Sequence, residues 1–151
     1  MSYTRSYFHI VFSTKKRQRT IPLDRRERIN QYISGVIKNK NCEPIKVNGI
    51  EDHIHILLNL HPTVALADIV RLIKQSSSKM ITQTFCCPMW EGWESEYFAS
   101  SVSPSHVEKV KEYIIQQEEH HKGKDFGSEA EEFVRKMGME MYRDGSTSPR
   151  L

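Results

Sequence analysis

The chain lacks the long apolar segment that a membrane protein requires. No apolar run in its 151 residues approaches the roughly 18 residues of a membrane-spanning helix. The first residues, M-S-Y-T-R-S-Y, contain no apolar core of a signal peptide. We therefore expect a cytoplasmic protein with no membrane partner.

Cysteine is also scarce, since the chain contains three: Cys42, Cys86 and Cys87. An odd number of cysteines cannot all pair within the chain, and their spacing is not that of a disulfide framework. The Cys-x-x-Cys pair typical of structural zinc is also absent. A zinc site built from Cys86, Cys87 and histidines is a disfavoured alternative. Free thiols suit the reducing cytosol better.

Charge is unevenly distributed along a chain of otherwise ordinary globular composition, with 38% hydrophobic and 27% charged residues. Residues 1–50 have a net charge of +8 and residues 51–151 of −5, which gives +3 overall. The densest basic segment, residues 14–28, reads T-K-K-R-Q-R-T-I-P-L-D-R-R-E-R. Such a segment is typical of a phosphate-binding surface, although a solvated loop and helix face explain it equally well.

Hydrophobic periodicity predicts the order β-α-β-β-α-β, followed by further helices. The predicted strands cover residues 3–13, 44–50, 53–60 and 97–102, and the predicted helices cover residues 22–39, 66–84, 104–122 and part of 126–137. This order suits an α+β fold with a ferredoxin-like or RRM-like antiparallel sheet and two helices on one face. The other face of the sheet is expected to be open for a ligand or a partner chain. We expect one domain over residues 1–138 and a disordered tail over residues 139–151.

The segment E-D-H-I-H-I-L-L-N-L, residues 51–60, places two histidines at the start of an apolar strand. Because side chains alternate along a strand, His53 and His55 share one face while Ile54 points to the other. Composition alone supplies about 0.3 His-x-His triplets in such a chain, so the triplet is weak evidence by itself. Two partly exposed sheet residues are the ordinary alternative.

The helix near the end of the chain, E-Y-I-I-Q-Q-E-E-H-H-K, offers side chains that can complete a site. Tyr113 and Gln117 are four residues apart and share a helix face. A tyrosine can act as a nucleophile when it is activated, and an amide oxygen can join two imidazoles around a cation that activates a phosphodiester. An interface tyrosine and a surface glutamine are the plain alternatives.

Four segments in this order resemble single-tyrosine HUH transposases, the small enzymes of one class of insertion sequences, and their REP-associated relatives. These segments are F-H-I-V-F-S-T-K-K-R, G-I-E-D-H-I-H-I-L-L, L-A-D-I-V-R-L-I-K-Q-S-S-S-K, and S-V-S-P-S-H-V-E-K-V-K-E-Y-I-I-Q-Q-E-E-H-H followed by F-G-S-E-A-E-E-F. The resemblance spans about residues 3–138, and four ordered motifs are far more specific than one.

The resemblance implies a transposase that cleaves and rejoins single-stranded DNA at element ends. Tyr113 would form a 5′-phosphotyrosine intermediate, and His53, His55 and Gln117 would bind Mg²⁺ or Mn²⁺. Imidazole ligands alone favour zinc or manganese over magnesium, so this metal expectation follows the family. The resemblance also implies hairpin-ended DNA and a homodimer in which active sites are shared between subunits; the sequence leaves open from which subunit Tyr113 comes.

Six cations are the candidates for contacts with the DNA backbone: Lys15, Lys16, Arg17, Arg19, Arg71 and Lys74. The Ser76–Ser78 run beside Lys74 suits a phosphate surface or a plain solvated helix face. The chain departs from the family at Gln116, where Asn is usual, and at Ser100, where an aromatic residue is usual. Two alternatives are a non-catalytic or domesticated single-stranded nucleic-acid-binding protein of RRM-like shape, and a replication or relaxase-type nicking enzyme, whose chains are usually larger.

Overall fold

A four-stranded antiparallel sheet organises residues 2–117, the part of the chain that the computed structural model describes. Its strands are β1 (Tyr7–Ser13), β2 (Glu43–Gly49), β3 (His53–Asn59) and β4 (Phe98–Val102), in the spatial order β2-β3-β1-β4. The predicted α+β, ferredoxin-like class is confirmed. The predicted helix within residues 126–137, the domain boundary at residue 138 and the tail lie outside the described residues.

Two long helices, α1 (Arg26–Asn39) and α2 (Leu66–Thr84), cover one face of the sheet. Pro22 is extended and precedes a 3-10 turn, Leu23–Arg25, so α1 begins four residues later than predicted. The bounds of α2 agree with the sequence prediction. Within residues 2–117, no helix combines the length and the hydropathy needed to cross a membrane.

The core lies between these helices and the alternate side chains of the two central strands. In β3, Ile54, Ile56 and Leu58 are fully buried against the helices, as the alternation of the sequence predicts. Ile10 and Phe12 of β1 occupy the same layer. Each such side chain contributes roughly 1.5–3 kcal/mol through burial, so a register slip of one residue is strongly disfavoured and the histidines stay on the opposite face.

The serine run of α2 is part of the structure rather than a solvated face. Ser77 is fully buried; its Oγ donates to the carbonyl of Ile73 at 2.6 Å and accepts from Nε1 of Trp93 at 2.9 Å. Oγ of Ser78 accepts from Nε1 of Trp90 at 3.1 Å. These bonds fix the irregular segment between α2 and β4 against the helix.

A third helix, α3 (Val107–Ile115), lies on the sheet face that we expected to be open. Ile114 is fully buried there, and Asn48 Nδ2 of β2 donates to the carbonyl of Ile114 at 2.9 Å. The expectation of an open face is therefore wrong beside β2 and β3. The predicted helix over residues 104–122 begins instead with a 3-10 turn, Pro104–His106, and residues 118–122 of that prediction lie outside the described residues.

Candidate active site

The two histidines of the His-x-His triplet open β3 and are buried, not partly exposed. His53 is 0% and His55 2% exposed, and their ring centroids are 5.0 Å apart. The Nε2 atoms of both rings are buried. Because buried imidazole nitrogens need a proton donor, an acceptor or a metal as partner, this environment favours a functional role over the ordinary alternative.

Asp52 fixes the protonation pattern of His53. Its Oδ1 lies 2.7 Å from Nδ1 of His53, and the carboxylate is an acceptor, so Nδ1 carries the hydrogen. In a neutral ring, Nε2 then holds the lone pair. This is the arrangement of a metal-binding histidine that is oriented by an outer carboxylate.

His9 of β1 lies beside His55 and belongs to the same buried group. Nε2 of His9 is 3.0 Å from Nδ1 of His55, and the two rings are stacked with centroids 5.3 Å apart. Burial lowers the pKa of His9 from its ordinary 6.5 to about 4, so its ring is neutral at pH 7.

Helix α3 brings Tyr113 to these rings within one chain. The ring centroid of Tyr113 is 6.0 Å from that of His55 and 6.1 Å from that of His9, in edge-on contacts. The Asn48 bond to the end of α3 holds the helix in this position. The tyrosine helix therefore lies on the sheet of its own chain.

Gln117 follows Tyr113 by one helical turn and is also buried. Its Nε2 donates to the carbonyl of Tyr113 at 3.3 Å, and its side chain is 0% exposed. Its Oε1 is buried and has no hydrogen-bond partner among residues 2–117. A buried carbonyl oxygen without a partner is costly, and a cation is one group that would satisfy it.

These donors fit a divalent cation. Within the described part of the chain, no three His, Cys, Asp or Glu side chains converge as a metal site, so a third donor taken from residues 2–117 would be of another type. The amide oxygen of Gln117 meets that need, and two imidazoles with one amide oxygen leave positions open for water or substrate. His53, His55 and Gln117 would hold the metal.

The predicted DNA-contact residues fall into two groups, and the first is an exposed basic loop at the end of β1. It contains four of the candidates: Lys15, Lys16, Arg17 and Arg19. Ser13 pairs with His53, and the amide of Thr14 donates to the carbonyl of Asp52 at 2.9 Å. The loop thus leaves the sheet next to the histidines.

The backbone of this basic loop is strained and held in place from outside. Lys16 and Arg17 have φ angles of 57° and 55°, which are uncommon for residues other than glycine. The amide of Lys15 donates to the carbonyl of Gly92 at 2.9 Å, and that of Lys16 to Oε1 of Glu94 at 3.2 Å. Because strain persists only where the surroundings enforce it, the loop presents its cations in a defined geometry.

The second group, Arg71 and Lys74, lies across the sheet from the histidines, in a groove between α2 and residues 92–97. The groove has a volume of about 970 Å³ and includes Trp93 and Tyr97. Arg71 is exposed and pairs with Asp68 at 2.7 Å. Lys74 is half-buried, and its ammonium donates to the carbonyls of residues 94 and 96 at 2.8 and 3.0 Å. Lys74 therefore anchors the groove wall, whereas Arg71 is accessible.

Three contributors to this site were not identified from the sequence: His9, Asp52 and Asn48. His9 was placed on the correct face of its strand, but its partner depends on the register between β1 and β3. Asp52 directly precedes His53, and an acidic residue beside a candidate histidine ligand is a usable signal. Asn48 lies opposite His55 in β2, which no local pattern reveals.

The family comparison decides the identity of the chain. Residues 2–117 match the family model described as "Transposase IS200 like". The chain belongs to this family. It is a transposase of the IS200-like family, as the resemblance of its four motifs predicted.

Relatives of this IS200-like transposase match most of its length. The transposase of insertion sequence IS200 from Salmonella typhimurium is 26% identical over 120 residues, 76% of this chain and 78% of the relative. The ISDra2 transposase TnpA from Deinococcus radiodurans is 22% identical over 115 residues, 73% of this chain and 82% of the relative.

Solved structures support the fold of the transposase. A crystal structure of a protein from Deinococcus radiodurans has a TM-score of 0.61 and 21% identity, and the match covers 78% of this chain and 95% of that chain. The REP-associated tyrosine transposase bound to a REP hairpin has a TM-score of 0.57 and 15% identity, and the match covers 81% of this chain and 72% of that chain.

Proposed function

We propose that this IS200-like transposase cleaves and rejoins single-stranded DNA through a 5′-phosphotyrosine intermediate on Tyr113. The observation that carries the proposal is the position of Tyr113, whose ring lies 6.0 Å from that of His55, one turn before the buried Oε1 of Gln117. A half-buried tyrosine thus contacts His55 of the buried histidine pair, and a buried amide oxygen follows it by one helical turn. The Tyr113 Oη–phosphorus bond forms as the bond from phosphorus to the upstream 3′-oxygen breaks; the phenol loses one proton and the leaving 3′-hydroxyl gains one.

His53, His55 and Gln117 are proposed to bind Mg²⁺ or Mn²⁺. A bound divalent cation supplies Lewis acidity and charge neutralisation at the scissile phosphate. Asp52 keeps the lone pair of His53 on Nε2, and the hydrogen bond from Gln117 Nε2 to the carbonyl of Tyr113 directs its Oε1 away from the helix backbone. The protein therefore supplies oriented ligands, and burial restricts water.

The DNA is proposed to approach along the basic loop. The exposed cations of this loop begin next to His53. The backbone of the loop is hydrogen-bonded to Gly92 and Glu94, and these two residues also line the groove that holds Arg71. Cations along this path would hold phosphates and fix the register of the DNA without reading its sequence. A hairpin-ended DNA is the proposed ligand, since a REP-associated transposase with a similar fold is described as bound to a REP hairpin.

A homodimer joined through the sheet is proposed as the working form. β2 is one edge strand of the sheet, and it contains Pro44 and a register shift, two features that disfavour pairing with a further strand. β4 is the other edge strand, and its sequence F-A-S-S-V contains neither proline nor charge. Pairing of two β4 strands is therefore the favoured route. Transfer of the tyrosine helix between subunits would replace the contact of Tyr113 with its own sheet by a site shared between subunits.

The proposal is tested with a single-stranded hairpin oligonucleotide from the flank of the element, labelled at its 3′ or its 5′ end. With Mg²⁺ or Mn²⁺, a denaturation-resistant protein–DNA adduct should retain the 3′ label, while the 5′ label should appear on a free fragment ending in a 3′-hydroxyl. Tyr113→Phe should abolish the adduct, whereas Tyr32→Phe, a change in an exposed tyrosine of α1 outside the site and the groove, should leave it unchanged.

The ligand set is tested in the same assay. Gln117→Ala should reduce the adduct strongly, and Gln116→Ala, a change in its exposed neighbour, should not. An adduct that forms equally in EDTA would refute the metal. Hairpin binding without any adduct would instead favour the non-catalytic nucleic-acid-binding alternative.

A further inference from the structure

A third histidine, His9, lies next to His55 on the sheet face that carries the candidate active site. β1 and β3 pair so that Val11 is opposite His55, which puts His9 one side-chain position further along the same face. Nε2 of His9 is 3.0 Å from Nδ1 of His55, and His9 is 1% exposed. At this separation, one hydrogen lies between the two nitrogens.

The position of that hydrogen decides whether His55 can bind a metal through Nε2. If His9 donates it, neutral His55 carries its own hydrogen on Nε2, where no lone pair is left for a cation. If His55 donates it from Nδ1, its Nε2 keeps the lone pair. The same condition applies to His53, where the carboxylate of Asp52 meets it.

We infer that His9 is a positioning residue that accepts the hydrogen of His55 Nδ1 and so keeps Nε2 of His55 ready for the cation. The inference rests on the proposed function, because it concerns the same metal site. His9 cannot then be a ligand through its own Nε2, which is the acceptor. A buried neutral imidazole orients His55 as a carboxylate orients His53, and it adds no second negative charge near the DNA phosphate.

Imidazole ¹⁵N spectra of the metal-free protein test the inference directly, because they show which nitrogen of each ring is protonated. In the wild type, His55 should be protonated at Nδ1. His9→Gln should preserve this state, since its amide oxygen can accept the same hydrogen bond, whereas His9→Leu should lose it. His61→Leu is the matched control, because His61 is bonded to Thr63 outside the site.

Mn²⁺ affinity, measured from the EPR signal of the free ion, gives the second readout. His9→Leu should weaken binding by about 10- to 100-fold, the range found when outer partners of metal-binding histidines are removed. His9→Gln should restore most of the loss, and His61→Leu should leave the affinity unchanged. A residue that acts only through packing would show the reverse preference, because Leu fits an apolar site better than Gln.

Several outcomes overturn the inference. One is a wild-type spectrum with His55 protonated at Nε2, a measurement that needs no variant and so does not depend on whether a variant folds. Another is a His9→Leu protein with unchanged Mn²⁺ affinity, or a His9→Gln protein that is as impaired as His9→Leu. A wild-type protein that binds no Mn²⁺ but carries His55 protonated at Nδ1 contradicts the proposed function and supports the hydrogen-bond assignment.

Discussion

Replacing Asp52 by Asn should weaken metal binding without disturbing the fold. The carboxylate is 17% exposed and bonds to Nδ1 of a fully buried His53 at 2.7 Å. The bond that the Thr14 amide donates to residue 52 goes to the backbone carbonyl, so it survives the substitution. The change therefore isolates the carboxylate and its effect on the His53 ring.

The expected magnitude follows from two independent considerations. A hydrogen bond to a charged group contributes about 1.5–3 kcal/mol, and outer partners of metal-binding histidines change metal affinity by about 10- to 100-fold, which equals about 1.4–2.7 kcal/mol. Asp52→Asn should lose part of this range, because its amide oxygen still accepts from Nδ1. Asp52→Ala should lose all of it.

Glu51→Gln supplies the matched control for this prediction. It removes the same charge one residue away, but the Glu51 carboxylate is half-exposed and faces Arg19 at 3.5 Å and Arg26 at 3.8 Å instead of a histidine. A Mn²⁺ titration should show near-wild-type affinity for Glu51→Gln and the graded loss for the two Asp52 variants. Equal affinities for Asp52→Asn, Asp52→Ala and Glu51→Gln would refute an orienting role for Asp52.

Two further predictions concern the scaffold. Ser77→Ala should lower the free energy of unfolding by about 1–3 kcal/mol, because it leaves the indole N–H of Trp93 without its acceptor. The control Ser76→Ala should change the free energy of unfolding by less than about 0.5 kcal/mol. Urea denaturation measures both variants, and equal effects would contradict the anchoring role of Ser77. Burial and the adjacent Cys86 raise the pKa of the Cys87 thiol to about 12, so roughly one molecule in ten thousand carries the thiolate at pH 8. Native protein should react slowly with a thiol reagent that labels all three cysteines after unfolding, and fast labelling of Cys87 in the native state would contradict its burial.

The parts of the fold that sequence could predict are those set by local periodicity. Alternation along β3 placed Ile54 in the core and both histidines on the other face, because a strand has a period of two. The apolar stripe of α2 predicted the bounds of this helix, because a helix repeats every 3.6 residues. The α+β class followed from the order of the elements and the rules of connection.

The parts that escaped prediction depend on contacts between distant segments. His9 meets His55 only because of the register of β1 against β3, and the order of elements does not determine a register. The apolar positions of α3 did not reveal which sheet face it covers. The polar residues of α2 also have partners that the sequence pattern does not predict. Ser77 accepts a hydrogen bond from Trp93, sixteen residues later, and Lys74 donates to backbone carbonyls.

The candidate site shows the same division. Tyr113 and Gln117 share a helix face because they are four residues apart, and the structure brings Tyr113 to His55 and buries Gln117. Their roles came from the resemblance to a family, and they stay predictions about chemistry. The six candidate DNA-contact residues share only their positive charge, and the fold separates them into a loop beside the histidines and a groove on the far side of the sheet.

Mass spectrometry of the adduct formed on hairpin DNA identifies the residue that attacks the phosphate. After digestion with nuclease and trypsin, the peptide of residues 112–122, E-Y-I-I-Q-Q-E-E-H-H-K, contains a single tyrosine, Tyr113. If Tyr113 is the nucleophile, this peptide carries the mass of a nucleotide joined through its 5′-phosphate. Attachment to another tyrosine, or no attachment in the presence of Mg²⁺ and Mn²⁺, would contradict it.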